Sequence, residues 1–295
     1  MNLRQLKYFV AVSEDLHFRN AARRLNISQP PLSRQIKELE EDLRVELFVR
    51  GRRGVSLTPG GRRLLPYARR ILKSVETARQ AAQGDDSNTI TIGFVSSASV
   101  LIPSIAQKIR ARIPEIDLRL IEAGSAQQGD MLRVGELDIA LLRGPWSNIE
   151  YASEEIRRDN LALIVPNDYL RAGDPDLKLA DLASEPFVFF PRELGPSFFD
   201  TAISACHAAG FSPTINQVVG STLTMIALVA SGQGFSLVPA NLADMAKGVT
   251  VHKPSDLNST TLLLAVYAKA GKLNKSTASI IEILKQFGDD PTVLD

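Results

Sequence analysis

The sequence predicts an α/β protein with an all-α-rich head. Three observations carry that prediction. Apolar residues recur at helical spacing through the first 82 positions. From about residue 90 onward, short β-branched and apolar runs alternate with helical stretches. Charge divides near the same place: residues 1–83 hold 17 Lys and Arg against 8 Asp and Glu, net +9, and residues 84–295 hold 17 against 25, net −8. A basic head on an acidic body suits a head that meets a polyanion.

In the head, Leu3, Leu6, Phe9, Val10 and Ser13 share one helical face, predicting a first helix over about 3–14. Phe18, Ala21, Ala22 and Leu25 predict a second over 18–25, and Asn26, Ile27 and Ser28 a tight turn. A third helix is expected over 30–43, with Leu32, Ile36, Leu39 and Leu43 as its inward stripe. Its outer face carries Ser33, Arg34, Lys37 and Glu41, and Pro30 and Pro31 stand in its first turn, where backbone N–H groups lack intrahelical partners. Two short helices joined by a tight turn, the second polar and basic outside, are the pattern of a helix-turn-helix. "LFVRGRRGVSLT" then reads as a hairpin with an arginine tip, which makes the head a winged helix-turn-helix over residues 1–58.

Thr58 caps the next helix and Pro59 occupies its first position. That helix runs to about Ala82 and spans about 36 Å. Leu64, Ala68, Ile71, Val75, Ala78 and Ala82 step as a heptad seam, which predicts pairing with a second copy of the chain rather than packing on its own body. The small, polar "QGDDSNT" closes this segment as a linker, so residues 59–89 read as a dimerisation helix and hinge.

Residues 90–295 form the body. "TITIGFV", "DLRLIEA", "LDIALLR", "LALIVP", "FVFFP", "QVVG", "FSLVP" and "LLLAVYA" read as strands between helices, in mainly parallel sheets. The length suits two lobes, about 90–160 with 268–295, and 161–267. Ligands of such sheets sit outside the carboxyl ends of the strands. Ser97, Ser99, Ser125, Pro196, Phe198 and Thr222 stand at junctions that open helices. Free N–H groups and hydroxyls converging there would bind a carboxylate, and plain helix caps are the alternative. Arg143, after "DIALL", adds charge to such a cleft or serves the structure.

Other function classes find little support. One cysteine excludes an internal disulfide, and three histidines with one cysteine offer no metal-ligand spacing. Neither G-x-S-x-G, Walker A nor a full G-x-G-x-x-G motif is present, so no enzyme, metal or cofactor is expected beyond a small-molecule effector. Cys206 reads as a core residue beside Ala205 and Ala208. No apolar run approaches a membrane span and no secretory cleavage pattern follows the N-terminus, so a cytoplasmic protein with no membrane partner is expected. A transporter's solute-binding protein would share the body but have no use for a basic winged head.

The stretch from "LRQLKYFVAVSEDLHFRNAARRLNISQPPLSRQIKELEEDL" to "LTPGG" resembles the DNA-binding domain of LysR-type transcriptional regulators, through the A-A-x-x-L-x-[IV]-S-Q-[PS]-x-[LV]-S core. The body resembles the family's effector-binding domain, which is similar to periplasmic solute-binding proteins: two lobes, two crossover strands, ligand between. The resemblance implies double-stranded promoter or operator DNA as partner, homodimers assembling into a homotetramer, and action on RNA polymerase. It makes Gln29, Ser33 and Arg34 the usual DNA contacts. Chemistry adds that Gln29 matches adenine, Arg34 guanine or phosphate, and Ser33 either class. Ser28, Pro30, Pro31 and Lys37 border the same face. Arg50, Arg52 and Arg53 on the wing would meet phosphate or the minor groove. "GFVSS", "EAGS" and "GPSF" further resemble the branch sensing benzoate, muconate and chlorinated muconates in aromatic catabolism. That implies Ser97, Ser125, Pro196 and Phe198 as effector contacts, although the branch often has threonine where Ser125 stands.

Overall fold

A computed structural model describes residues 1–51, 54–82, 89–269 and 275–287. The chain forms two compact units. The wing-tip residues Arg52 and Arg53 and nearly all of the expected 83–89 linker lie outside the described residues.

The head holds α1 (Leu3–Asp15), α2 (Phe18–Arg24) and α3 (Gln29–Leu43). Asn2 opens α1 with a reciprocal capping box: its side chain accepts from the Gln5 N–H at 2.9 Å, and Gln5 accepts from the Asn2 N–H at 3.0 Å. Asn26 makes the turn before α3 at φ 54°, a left-handed conformation that asparagine tolerates better than most residues. Leu6, Phe9, Val12, Phe18, Ala21, Leu32, Ile36 and Leu39 bury one another at the centre. The strands β1 (Phe48–Gly51) and β2 (Gly54–Leu57) pair antiparallel as the wing, with Phe48 opposite Leu57.

The helix α4 (Pro59–Ala82) starts as expected. The Thr58 hydroxyl accepts from the Gly61 N–H at 2.9 Å, capping the first turn. A Cβ on Gly61 would lie 2.2 Å from the Leu47 carbonyl oxygen, so only glycine lets α4 begin this close to the loop. The expected dimerisation seam is divided. Ala68 is fully buried in the head's own core, with Leu64 and Ile71 packed on that core. Val75 is 42% exposed and Ala78 is also exposed. Ala68 is therefore spent within the protomer because α1 packs across the same helix face.

The body contains β3 (Thr89–Phe94), α5 (Ile102–Arg112), β4 (Asp117–Glu122), α6 (Ser125–Val134), β5 (Ile139–Gly144) and β6 (Tyr151–Pro166). There follow β7 (Phe187–Phe189), α7 (Pro196–Ala208), β8 (Ile215–Val218), α8 (Thr222–Ala230), β9 (Ser236–Pro239), β10 (Val249–His252), β11 (Thr260–Ala268) and α9 (Lys275–Lys285). The main sheet runs β10-β6-β11-β5-β3-β4, with β9 also on β6, and β7 pairs with β8. Among the described residues the parallel strand pairs are β3–β4, β3–β5 and β7–β8; β6 and β11 run antiparallel to their neighbours. The expectation of mainly parallel sheets is thus corrected to a mixed sheet, because β6 crosses between lobes and both it and β11 run antiparallel to their neighbours.

One strand belongs to both lobes. β6 pairs with β11 as far as Asn160, then from Leu161 with β9 and from Leu163 with β10. The first crossing falls after Asn160. Among the described residues β11 pairs with β5 and the first half of β6, so the first lobe resumes at Thr260, whereas the sequence expectation puts its return at 268. The second lobe's core is aromatic, with Phe187 4.8 Å from Phe189 and 4.9 Å from Phe235 between ring centroids. Cys206 lies in this core, and burial pushes its thiol up to about 12.

Candidate DNA-binding face and effector cleft

In the head, Ser28 precedes α3 in extended conformation and makes no side-chain capping bond. Ser28, Gln29, Pro30, Pro31, Arg34 and Lys37 are all exposed, and Ser33 is half-buried. The buried stripe Leu32, Ile36 and Leu39 fixes this orientation. Arg34 is 82% exposed and its Nε donates to Glu38 Oε1 at 2.9 Å; Lys37 lies 3.6 Å from Glu41. Arg50 lies in β1 of the wing, opposite Val55. Not every arginine of the head is available. Arg24 binds Glu14, Asp15 and the Ala11 carbonyl, which ties α2 to α1.

In the body, three predicted residues meet. The parallel strands order as β5-β3-β4, so the chain reverses direction across β3 and leaves a crevice at the carboxyl ends. Ser97 follows β3 in a short turn, Ser125 follows β4 at the start of α6, and Arg143 closes β5. Arg143 Nε donates to Ser97 Oγ at 3.1 Å and its backbone N–H to Ser125 Oγ at 3.2 Å. Arg143 Nη1 donates to Asp159 Oδ2 at 2.7 Å, and Arg157 Nε to Asp159 Oδ1 at 2.5 Å.

Arg143 is only 2% exposed, and its Nη2 has no partner among the described residues. Burial pushes its guanidinium below the usual range, Asp159 opposes that shift, and Arg157 adds to it. Both serines are used here as acceptors, so each hydroxyl keeps a proton to donate. Two hydroxyls and an unpartnered guanidinium nitrogen therefore cluster beside the Asp159 carboxylate, a donor set that suits an anion.

The other predicted positions divide. Thr222, at the start of α8, accepts or donates at 2.8 Å to Ser96, and its N–H donates to Ser96 Oγ at 3.1 Å, so it joins the lobes. Ser99 is half-buried on the Ser97 turn. Pro196 opens α7 and is half-buried. Phe198 sits in the second lobe's core, 5% exposed and stacked 5.6 Å from Phe190, so its ring is committed to packing. Three residues, Asp159, Thr261 and Asn241, escaped sequence reasoning. Asp159 is the carboxylate shared by two arginines. Thr261 stands opposite it on β11 with an unpartnered, buried hydroxyl. Asn241 donates to the Ser97 carbonyl at 3.4 Å, and its Oδ1 is unpartnered among the described residues. Ser197 donates to the Pro145 carbonyl at 2.8 Å, a further link between lobes. A lone acid at the edge of "LALIVP" was the one available signal for Asp159.

Comparison with known proteins identifies the family. Residues 3–62 match the model of the bacterial regulatory helix-turn-helix protein, lysR family, and residues 83–289 match that of the LysR substrate binding domain. The chain belongs to the LysR family of transcriptional regulators. It is 34% identical to the transcriptional regulator ShiR of Corynebacterium glutamicum, over 96% of this chain and 98% of that one. It is 31% identical to the probable cat1 operon transcriptional activator of Acinetobacter lwoffii, over 100% and 99%. Among solved structures, that of the LysR family regulator CbnR is similar, with TM-score 0.73 and 28% identity, covering 98% of this chain and all of that one. CbnR has also been solved with its target DNA, at TM-score 0.72. This LysR-type chain is accordingly a DNA-binding regulator with an effector-binding domain, not an enzyme. No helix among the described residues is long and apolar enough to cross a membrane.

Proposed function

We propose that this LysR-type regulator is cytoplasmic and is switched by a small carboxylate, aromatic or diene-derived, held at Ser97, Ser125 and Arg143. The buried, unpartnered Arg143 Nη2 beside two hydroxyls with protons to give is the observation that carries this reading. The resemblance to the benzoate- and muconate-sensing branch supports the choice of scaffold for the carboxylate. No cofactor takes part. In the head, Gln29, Ser33 and Arg34 enter the major groove of operator DNA, Ser28, Pro30, Pro31 and Lys37 border them, and Arg50 with Arg52 and Arg53 positions the wing on the backbone. The exposed Val75 and Ala78 extend a pairing surface for a second copy, and pairs of dimers build a homotetramer that acts on RNA polymerase.

The ligand must favour one arrangement of the lobes, since equal affinity for two shifts nothing. Titration calorimetry of the full-length protein with benzoate, cis,cis-muconate and chlorinated muconates tests the reading, with benzamide as a neutral control. A carboxylate is expected to bind, benzamide not, and Ser97→Ala to weaken binding. Equal heats from benzoate and benzamide, or silence from every carboxylate, would overturn it.

A further inference from the structure

We infer that Glu38 is a positioning residue for base reading, which clamps Arg34 so that its terminal nitrogens meet a guanine as a prepared fork. This rests on the reading above that α3 enters the major groove with Arg34. The inference starts from which atoms are used. Glu38 Oε1 accepts from Arg34 Nε at 2.9 Å, and Glu38 Oε2 accepts from Gln35 Nε2 at 2.6 Å. Both carboxylate oxygens are therefore engaged, one residue four positions back and the other three, on adjacent rows of α3. A carboxylate held at two points is a fixed acceptor. Arg34 Nη1 and Nη2 have no partner among the described residues and form the two-pronged end of the guanidinium. Guanine presents O6 and N7 to such a fork in the major groove.

The pair beside it behaves differently. Lys37 approaches Glu41 at 3.6 Å, and both side chains are more than 60% exposed. That is a loose surface contact with no second tether. Glu38 is about half as exposed as Arg34, at 37% against 82%.

Electrostatics make the arrangement informative. A carboxylate on a helix that faces DNA repels phosphates, so Glu38 lowers affinity for any DNA sequence. It returns affinity only where Arg34, already oriented, finds a guanine. Freezing the guanidinium before binding reduces the ordering that recognition would otherwise require. Glu38 thus trades general attraction for discrimination.

Selection of binding sites from a random DNA library, followed by titration of single-base variants at one salt concentration, tests this with the full-length protein. Glu38→Ala is expected to cut discrimination at one guanine position about twofold, the limit set by an exposed pair within one helix. In the same variant, affinity for unrelated DNA rises. Glu38→Gln keeps an oxygen to accept from Arg34 Nε; its base preferences stay near those of the parent while unrelated DNA binds more tightly. A uniform rise on all DNA with preferences intact in Glu38→Ala would overturn the inference and leave Glu38 a mere surface charge. So would Glu38→Gln losing discrimination as fully as Glu38→Ala. Arg34→Ala separates the two levels: unaltered base preferences there would overturn the placement of α3 itself.

Discussion

The two units place charge in opposite settings. On α3 of the head, Arg34 and Lys37 are exposed and their partners are one helical turn away. In the body, Arg143 and Asp159 are each 2% exposed and reach each other from different strands. An exposed pair of this kind contributes about 0.3–0.5 kcal/mol, little to stability but enough to bias the orientation of a side chain. A buried charge loses several kcal/mol of hydration and depends on its partners. The head can therefore carry positive charge at little cost and present it to DNA, which has its own charge to neutralise. The body can keep one buried guanidinium nitrogen unpartnered only as a specific investment, and an anion that enters the cleft would complete it.

The largest test of that contrast is Asp159→Ala. It leaves Arg143 buried without its carboxylate, and the body should lose about 3–5 kcal/mol in urea unfolding. The double change Arg143→Met with Asp159→Leu should recover most of that loss, because a fitted apolar pair carries no desolvation penalty. Glu38→Ala in the head should change stability by less than about 0.5 kcal/mol. If Asp159→Ala proved as mild as Glu38→Ala, the body's charges would be solvated and the comparison would fail.

Close packing offers a second, smaller contrast. A Cβ on Gly61 would meet the Leu47 carbonyl oxygen at 2.2 Å, and one on Gly124 would meet the Leu194 carbonyl oxygen at 2.5 Å. Gly61 packs against Leu47 and Leu57 within the head itself. Gly124 touches across two lobes that are also bridged by Ser96–Thr222 and Ser197–Pro145. Overpacking costs about 1–3 kcal/mol in either place, but it should surface differently. Gly61→Ala should lower the unfolding free energy of the head. Gly124→Ala should wedge the lobes and weaken binding of a carboxylate about five- to hundredfold with little loss of stability. Lost stability with unchanged ligand affinity in Gly124→Ala would show that the lobes do not move on binding.

The head was far more legible than the body for a physical reason. Its determinants are local: the Leu32, Ile36 and Leu39 stripe, the Thr58 cap and the Pro30–Pro31 opening all act within a turn or two of themselves. What escaped there was Ala68, a small residue whose burial depends on α1, more than 50 positions away. In the body, strand positions were readable from apolar runs, but direction was not. β6 shows its apolar run only from Leu161, while its first ten residues are mostly polar and pair with β11 through a register shift near Leu263. Ser97, Ser125 and Arg143 could be singled out because each stands at or just beyond the carboxyl end of a strand. Asp159, Thr261 and Asn241 could not, since their neighbours come from other strands.

At neutral pH the smallest effect concerns the single cysteine, which the head lacks altogether. Cys206 is fully buried in the second lobe, and burial raises its thiol from an ordinary value of 9.0 to about 12. Below pH 9 the thiol is neutral whether the chain is folded or not, and it contributes no pH dependence. Above pH 9 the unfolded chain releases its proton while the folded body retains it, so stability falls as pH rises toward 12. The slope can reach about 1.4 kcal/mol per pH unit. Urea unfolding of the parent and of Cys206→Ala should therefore give stability–pH curves that run parallel up to pH 9 and diverge above it, with the parent falling faster. The same burial predicts that alkylating reagents at pH 8 label the unfolded chain and spare the native one. Native labelling at the unfolded rate, or curves that stay parallel to pH 11, would mean that the second lobe opens enough to wet its core, and the head would then hold the better-sealed interior.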